Sequence, residues 1–182
     1  MKAEKMTREI TIPEGVEVSI EGKTLLVKGP LGELKRTFDY PKLLIELQEG
    51  VVALSCKNAT KKDKMFLGTF TSIVKNIFLG VTKGFEYKLK ICSSHFPVSI
   101  SFKNNTLTVK NFLGEKKPRV LSVRDEVKLK VDGEFIILNG IDKELVGDVA
   151  GRIEKLTRVT NRDRRRFQDG IFIVEKAGKS LV

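Results

Sequence analysis

An internal repeat constrains the fold of this chain more than any other feature of its sequence. Residues 16–35 and residues 98–117 align without a gap, and ten of the twenty aligned positions are identical. Similar segments follow at 63–68 and 142–147, so the likeness extends beyond a single stretch. Two repeats are too few to build a solenoid. The sequence therefore predicts two tandem, duplicated modules.

Within each module the pattern predicts several strands followed by one helix. Residues 16–20 alternate apolar and polar side chains, which is typical of a strand with one buried face. Apolar residues then recur at helical spacing from a start at Thr60 to a stop at Gly80. The predicted fold class is α+β, in which each module is an antiparallel β-sheet covered by an α-helix. The two modules are expected at residues 1–81 and 82–182.

The repeat also predicts which residues of the two modules correspond. Thr24 and Thr106 are expected at equivalent strand positions, and Gly32 and Gly114 at equivalent turns. The apolar periodicities predict one core in each module. The predicted core residues are Leu25, Val27, Phe70, Ile73 and Ile77 in the first module, and Leu107, Val109, Val149, Ile153 and Leu156 in the second.

The charge of the chain favours an anionic partner. The formal net charge is +11, of which residues 1–82 carry +3 and residues 83–182 carry +8. The basic stretch at 158–167 reads RVTNRDRRRF and holds five arginines against one acid. Each arginine is permanently charged and can fork onto two phosphate oxygens. The stretch predicts nucleic-acid binding, with a solvated charged face or a localisation signal as the alternatives.

The candidate RNA-binding residues lie in the basic stretch, around one turn and at one helix start. Lysines at a helix start reinforce the attraction of its N–H groups for phosphate. The predicted residues are Arg158, Arg162, Arg164, Arg165, Arg166 and Phe167, then Lys116, Lys117 and Arg119 on the Gly114 turn, and Lys61, Lys62 and Lys64 at the first helix start.

Two glycines in the second predicted helix need an explanation. Gly147 and Gly151 lie one turn apart, and glycine inside a helix costs about 1 kcal/mol relative to alanine. Tight packing of the helix on the sheet would offset that cost. Direct approach of an RNA backbone to the helix is the alternative.

Few residues suggest catalysis or a metal site. His95 is the only histidine, and Cys56 and Cys92 form no CxxC pair. Three acids of the second helix are interpreted as solvated side chains: Asp142, Glu144 and Asp148. We therefore expect no enzyme, no metal and no cofactor. A metal-dependent RNA-processing nuclease is the alternative.

The sequence gives little reason to expect a membrane or secreted protein. No apolar run approaches the roughly 18 residues that a membrane helix needs. The start, MKAEKMTREI, lacks the apolar core of a secretory signal. With only two cysteines, Cys56 and Cys92, we expect reduced thiols in a cytosolic protein. A basic protein that binds DNA or a membrane surface is the remaining alternative, although a helix-turn-helix would need two adjacent helices.

Several long motifs, in order along the chain, resemble one family. VKGPLGELKR at 27–36 resembles its first-module signature, and HFP at 95–97 with NFLGEKKPR at 111–119 resembles its second. The family is that of the sixth universal large-subunit ribosomal protein, numbered nine in eukaryotes. GIDKELVG at 140–147 and RDRRRFQDGIFIVEK at 162–176 resemble its archaeal–eukaryotic branch.

The resemblance implies an architectural protein bound to large-subunit ribosomal RNA. It implies a position near the sarcin–ricin loop and the base of the stalk, where translational GTPases dock. The implied protein partners are neighbouring ribosomal proteins, including those of the stalk base, and neither a membrane nor a free homo-oligomer is implied. The implied location is the cytoplasmic large subunit, with nucleolar assembly if the source is eukaryotic.

Overall fold

Antiparallel strand pairs and two long helices make up the regular structure. The computed structural model describes residues 3–94, 96–163 and 165–181. The chain divides into two compact units, Met1–Gly84 and Phe85–Val182, called here the amino unit and the carboxyl unit. The boundary expected from the sequence, between residues 81 and 82, lies three residues earlier. That the two parts are separately folding domains stays a prediction.

The amino unit contains two three-stranded sheets and one helix. Its elements are β1 (Ala3–Thr11), β2 (Glu17–Glu21), β3 (Thr24–Gly29), β4 (Gly32–Thr37), β5 (Leu43–Gln48), β6 (Val51–Ala59) and α1 (Lys61–Thr82). One sheet has the order β1-β6-β5 and the other the order β2-β3-β4. Helix α1 contacts strands of both sheets, so the core lies between the helix and the strands.

The carboxyl unit contains a three-stranded and a five-stranded sheet and one helix. Its elements are β7 (Phe85–Cys92), β8 (Ser99–Lys103), β9 (Thr106–Lys110), β10 (Arg119–Ser122), β11 (Lys128–Asp132), β12 (Phe135–Gly140), α2 (Lys143–Leu156), β13 (Gly170–Lys176) and β14 (Lys179–Ser180). The sheet orders are β10-β9-β8 and β11-β12-β7-β13-β14. Helix α2 contacts β7, β10, β12 and β13.

The predicted α+β class is confirmed, but the number of sheets in each unit differs from the prediction. Among the described residues, each unit has two antiparallel sheets instead of one. The three consecutive strands β2, β3 and β4 pair with one another, and β8, β9 and β10 do the same. The pairs β5–β6, β11–β12 and β13–β14 are hairpins of consecutive strands. The pairs made by β1 with β6, and by β7 with β12 and β13, join strands that lie far apart in sequence. Alternation along a strand reports a buried face and does not report which sheet the strand joins.

Helix α1 begins where the sequence predicted and ends later. The Thr60 hydroxyl accepts a hydrogen bond from the Asp63 backbone N–H at 3.4 Å, and the Asp63 carboxylate accepts one from the Thr60 N–H at 2.8 Å. This capping box satisfies N–H groups that a helix start leaves unpaired. The predicted stop at Gly80 is wrong, because the helix continues to Thr82 and the chain leaves it through Gly84, at φ +73°.

In the amino core, the strand residues are buried as predicted, but the face of α1 that packs inward differs from the predicted one. Leu25, Val27 and Ile77 are buried as predicted, but Phe70 and Ile73 are only half-buried. The most deeply buried apolar residues of α1 are Leu67, Val74, Phe78 and Val81. Helix α1 carries apolar residues on more than one face, so periodicity alone does not select the face that packs inward.

The carboxyl core follows the prediction closely. Leu107 and Val109 on β9 are buried, and so are Val149 and Ile153 on α2. Leu156 is half-buried, because it is the last residue of the helix and packs at the edge of the core. A narrower apolar stripe makes the inward face of α2 easier to recognise from its sequence than that of α1.

Helix α1 is long and apolar enough to cross a membrane if only length and composition are considered. The expectation that no segment approaches that length is therefore too strong. Lys75 interrupts the apolar run, but a window of the helix still meets the criterion. Leu67 and Val74 lie in the core of the amino unit, and the core helix of a soluble protein passes the same test.

The two three-stranded meanders differ in the loop before their third strand. Thr24 pairs with Thr37 across β3 and β4, whereas Thr106 pairs with Ser122 across β9 and β10. The carboxyl loop is therefore three residues longer. Part of it forms a 3₁₀ turn, Phe112–Gly114.

This difference separates two glycines that the ungapped alignment placed together. Thr24 and Thr106 each open the second strand of their meander, as predicted. Gly32 opens β4, whereas Gly114 lies in the longer loop, so the prediction of equivalent turns is wrong. Sequence identity continues through the loop, but the strand register does not.

Candidate nucleic-acid interface

The longer loop of the carboxyl unit, residues 111–118, is tied to the end of α2 by Arg119. The Nε and Nη2 groups of Arg119 donate to the two carboxylate oxygens of Glu115, at 2.8 and 2.5 Å. Its Nη1 group donates to the carbonyl oxygen of Leu156 at 2.7 Å and to that of Arg158 at 3.4 Å. The guanidinium carbon lies 4.5 Å from the centre of the Phe112 ring. These five residues are called the Arg119 cluster.

The cluster changes the expected role of Arg119. Its side chain is 23% exposed, and protein atoms already accept hydrogen bonds from all three of its nitrogens. The hydrogen bond from Arg119 lowers the pKa of Glu115, and the charge of Arg162 lowers it further. The cluster brings the loop and the basic stretch to one side of the carboxyl unit.

The other predicted residues of the loop face solvent. Lys116 and Lys117 are exposed on the loop between the 3₁₀ turn and β10. The loop is also held at its start, where the Asn111 side-chain amide donates to the Pro97 carbonyl oxygen at 3.1 Å. Two lysines therefore project from a segment that is fixed at both ends.

The basic stretch is anchored at its start and just beyond its end. The buried hydroxyl of Thr157 accepts a hydrogen bond from the Ile171 N–H at 2.9 Å, which joins the end of α2 to β13. Val159 packs into the core. The buried Asp169 carboxylate accepts hydrogen bonds from the backbone N–H of Ser94 and from its hydroxyl, the latter at 3.0 Å. The cations between these anchors are carried on a folded frame.

Within the stretch, the described arginines differ in how they are engaged. Arg158 and Arg166 are exposed. The Arg162 guanidinium lies 4.9 Å from the centre of the half-buried Phe167 ring. The Arg165 Nη2 group lies 2.9 Å from an Asp163 carboxylate oxygen, and hydrogen bonds from Arg165 lower the pKa of Asp163. Two other residues named from the sequence, Arg164 and His95, lie outside the described residues.

The Phe167 ring is not fully available for stacking with a nucleobase. It packs against the core of the carboxyl unit while Arg162 lies over its ring. The ring therefore supports the arginine and leaves little of its own surface for a nucleobase. A contact between Phe167 and RNA stays a prediction.

Sequence reasoning missed two lysines beside the basic stretch. Lys90 on β7 and Lys155 on α2 are exposed and line a groove of about 1000 Å³ that Arg158 also lines. Neither lies within the basic stretch at 158–167. The one signal in the sequence is that Lys155 precedes Arg158 by three positions. Three acids also line the groove, so it is not uniformly positive: Glu134, Glu154 and Asp169.

The glycines of α2 are less crowded than tight packing requires. A Cβ atom at Gly147 would lie 3.5 Å from the Tyr87 hydroxyl oxygen, an ordinary contact. At Gly151, which is exposed and lines the same groove, a Cβ atom would have no described neighbour within 4 Å beyond the helix's own backbone. The tight-packing interpretation is therefore wrong for Gly151. Approach of an RNA backbone stays a prediction.

In the amino unit, the predicted lysines surround a helix start that has its own carboxylate. Lys61, Lys62 and Lys64 are exposed. Between them Asp63 is only 2% exposed, and it accepts hydrogen bonds from the Tyr40 hydroxyl and from Lys42, the latter at 3.3 Å.

The shifted pKa values of Asp63 and Tyr40 reflect the hydrogen bond between them. The hydrogen bond from Tyr40, together with those from Thr60, lowers the pKa of Asp63. The same bond raises the pKa of Tyr40 to about 12. Asp63 therefore supplies the negative charge that a helix start favours, at the place where a phosphate was expected.

The acids and the cysteine that were considered for catalysis or metal binding make contacts that serve the fold. Among the described residues, no three His, Cys, Asp or Glu side chains are grouped in a way that could hold a metal ion. Asp142 caps α2 by accepting from the Glu144 N–H at 2.8 Å, and Asp148 pairs with Arg152 at 3.0 Å. Burial raises the pKa of the Cys56 thiol, which makes it a weaker nucleophile.

Comparison with known proteins identifies a single family. The family model described as ribosomal protein L6 matches residues 12–84 and 96–170. A protein of Methanosarcina mazei named large ribosomal subunit protein uL6 is 46% identical over 173 residues, which cover 95% of this chain and 98% of that protein. A protein of the same name from Methanococcus vannielii is 44% identical over 173 residues, which cover 95% of each chain. Both relatives are archaeal, in agreement with the branch that the motifs indicated.

Proposed function

This chain belongs to the ribosomal protein L6 family, and we propose that its carboxyl unit binds large-subunit ribosomal RNA near the sarcin–ricin loop and the base of the stalk. As a member of that family it is a structural, non-enzymatic component of the large ribosomal subunit in the cytoplasm. Its partners are ribosomal RNA and other ribosomal proteins. Proteins of the stalk base are the proposed neighbours, and support of the region where translation factors dock is the proposed role.

The observation that carries the RNA site is the anchored set of cations on the carboxyl unit. Lys116 and Lys117 on the loop and Arg158, Arg162 and Arg166 in the basic stretch are all exposed, and both segments are held by the folded frame. Cations that neutralise phosphates release condensed counterions, which makes binding strong and dependent on salt. Folded RNA is recognised mainly through shape and backbone contacts. A rigid cationic surface suits that form of recognition.

We also infer that the two units derive from one duplicated module. The ten identities between 16–35 and 98–117 support this, and so does the common order of a three-stranded meander, a hairpin and a helix. The longer loop and the added strands β13 and β14 distinguish the carboxyl unit. These are the parts that carry or flank most of the proposed RNA-binding cations.

A charge-matched pair of variants tests the RNA site. Arg162, Arg165 and Arg166 are changed together to Gln in one variant, and Lys61, Lys62 and Lys64 in the other, so each loses three positive charges. Binding to a transcript of archaeal large-subunit ribosomal RNA is measured over a range of KCl concentrations. We expect the arginine variant to bind more weakly, with the salt slope reduced by up to about 0.9 for each lost phosphate contact. Equal losses in both variants would contradict a site in the carboxyl unit.

The location on the RNA needs a separate measurement. Hydroxyl-radical probing of the same transcript, with and without the protein, should show protection around the sarcin–ricin loop and the base of the stalk. The arginine variant should lose that protection first. Protection confined to other regions would leave the protein an RNA binder and would refute the proposed position.

A further inference from the structure

We propose that Arg119 is a positioning residue for the RNA-binding surface and makes no phosphate contact itself. This inference rests on the proposed RNA-binding function and assigns a different task to one of the residues expected to touch RNA. Arg119 fixes loop 111–118 against the start of the basic stretch. Lys116 and Lys117 are thereby presented together with Arg158 as one surface.

The geometry of the guanidinium supports this assignment. Its Nε and Nη2 groups face both carboxylate oxygens of Glu115, and its Nη1 group faces the carbonyl oxygens of Leu156 and Arg158. Two-point pairing of this kind is among the stronger side-chain interactions and is directional. Phe112, which is buried, covers one face of the group. A phosphate would have to displace these partners before it could bind Arg119.

The position at the end of α2 gives the contact a second function. Leu156 is the last residue of the helix, and the final carbonyl groups of a helix lack partners within the helix. They also carry a partial negative charge that favours a nearby cation. Arg119 satisfies one of these carbonyls and reaches the next segment at Arg158. The helix end, the loop and the basic stretch are therefore joined by one side chain.

The loop needs such a restraint. Asn111 and Leu113 have left-handed backbone conformations, at φ +60° and +49°. Asparagine tolerates that region, but a leucine there is strained, and such strain persists only when surrounding contacts hold the chain in place. Within the loop, the Asn111 contact with Pro97 holds the start and the Arg119–Glu115 pair holds the end. If the pair were lost, the lysines between these restraints would be free to move.

Glu115 provides the sharpest test of the idea. On a surface that binds phosphate, a carboxylate repels the ligand, so its removal should strengthen binding on charge alone. If Glu115 serves to hold Arg119, its removal should weaken binding instead. Its side chain is 40% exposed, so Glu115→Gln is expected to fold. Glu126→Gln is the matched control, because Glu126 is an exposed acid of the same unit.

The experiment compares the wild-type chain with Arg119→Lys, Arg119→Gln, Glu115→Gln, Glu126→Gln and Lys117→Gln on the same ribosomal RNA transcript, over a range of KCl. Arg119→Gln removes the charge, so its salt slope should match that of the wild-type chain only if Arg119 makes no phosphate contact. Arg119→Lys keeps the charge but loses the planar fork. We expect Arg119→Lys and Glu115→Gln to bind about tenfold more weakly, the scale of a lost charged hydrogen bond. Their salt slopes should match that of the wild-type chain. Lys117→Gln should reduce the slope, and Glu126→Gln should bind at least as tightly as wild type.

Each remaining outcome gives a clear decision. A reduced salt slope in Arg119→Gln, which removes the charge, would mean that the residue touches phosphate. Tighter binding by Glu115→Gln would mean that the pair does not position the loop. Either result overturns the inference. Unchanged affinity with only a lower melting temperature would assign the cluster to stability alone and also overturns it. Failure of the wild-type chain to bind the transcript would instead overturn the proposed function.

Discussion

The two units secure the last turn of their helices in different ways. In the amino unit, the short loop between β3 and β4 approaches α1 directly, and the Leu31 N–H donates to the Val81 carbonyl oxygen at 3.0 Å. In the carboxyl unit, the corresponding loop is three residues longer. There the Arg119 side chain, which follows the loop, donates to the Leu156 carbonyl oxygen at 2.7 Å. A backbone amide and an arginine side chain thus serve the same purpose. In the carboxyl unit, the longer loop exposes Lys116 and Lys117, which can contact a ligand.

The starts of the two helices also differ, in the number of contacts that their capping acids make. Helix α1 has a capping box with the buried Asp63, which also binds Tyr40 and Lys42. Helix α2 has a simpler cap, in which Asp142 accepts one backbone N–H at 2.8 Å. The start of α1 is therefore enclosed by side-chain contacts that have no described counterpart at Asp142. The comparison predicts that damage to each unit has different consequences.

The largest expected effect comes from truncating matched core residues. Leu25 on β3 and Leu107 on β9 are both fully buried, and Leu→Ala at either site should cost roughly 2–5 kcal/mol of unfolding free energy. Hydrogen–deuterium exchange should show faster exchange in the amino unit for Leu25→Ala and in the carboxyl unit for Leu107→Ala. Leu47→Ala is the control, because Leu47 is half exposed.

The pattern of exchange tests the prediction of separate domains. If the units fold independently, each core variant accelerates exchange in its own unit and leaves the other near the wild-type rate. If both variants accelerate exchange equally in both units, the chain unfolds as one cooperative body. That result would break the prediction that 1–81 and 82–182 are distinct domains.

The next effect tests the short loop of the amino unit. A Cβ atom at Gly29 would lie 2.8 Å from the Cβ and Cγ2 atoms of Val81, which is closer than packed atoms tolerate. Gly29→Ala should therefore cost roughly 1–3 kcal/mol, the usual penalty for overpacking. Urea unfolding measures the change. A cost below about 0.5 kcal/mol would place the variant among ordinary surface substitutions and would show that the loop is not held against α1.

Acid should weaken the amino unit through Asp63. The folded-state pKa of Asp63 is lowered, chiefly by the hydrogen bond from Tyr40, relative to an ordinary value of about 3.9. Its contribution to stability is therefore complete above that value and is lost as the pH falls towards the folded-state pKa. Below about pH 4, Asp63→Asn should show a flatter fall in stability than wild type, by up to one proton bound on unfolding. Parallel pH curves from urea unfolding would contradict a role for this carboxylate.

Much of the frame could be predicted from local pattern, whereas the partners of individual side chains could not. Leu25 and Val27 were assigned to the core because alternation along a strand is a local property. The partners of Arg119 lie 4, 37 and 39 residues away in sequence, and only tertiary packing brings them together. The ungapped alignment did not reveal the loop insertion, because four of the five residues at 113–117 are identical to those at 31–35. Strand pairing nevertheless places the three extra residues before β10.

The smallest expected effect concerns one glycine in each helix, the half-buried Gly68 of α1 and the exposed Gly151 of α2. A Cβ atom added at Gly68 in α1 or at Gly151 in α2 would meet no described atom within 4 Å beyond the backbone of its own helix. Replacing either with alanine should therefore stabilise the chain by about 1 kcal/mol, the difference in helix propensity. Urea unfolding of Gly68→Ala and Gly151→Ala measures both gains.

The two variants should separate when RNA binding is measured. Gly151 lines the groove beside Lys155 and Arg158, whereas Gly68 belongs to the amino unit. If an RNA backbone approaches α2, the methyl group of Gly151→Ala occupies the space that the phosphate chain needs, so affinity falls while stability rises. Gly68→Ala should gain stability without losing affinity. Equal affinity in both variants would mean that RNA does not approach Gly151, and the proposed contacts would then be confined to the loop and the basic stretch.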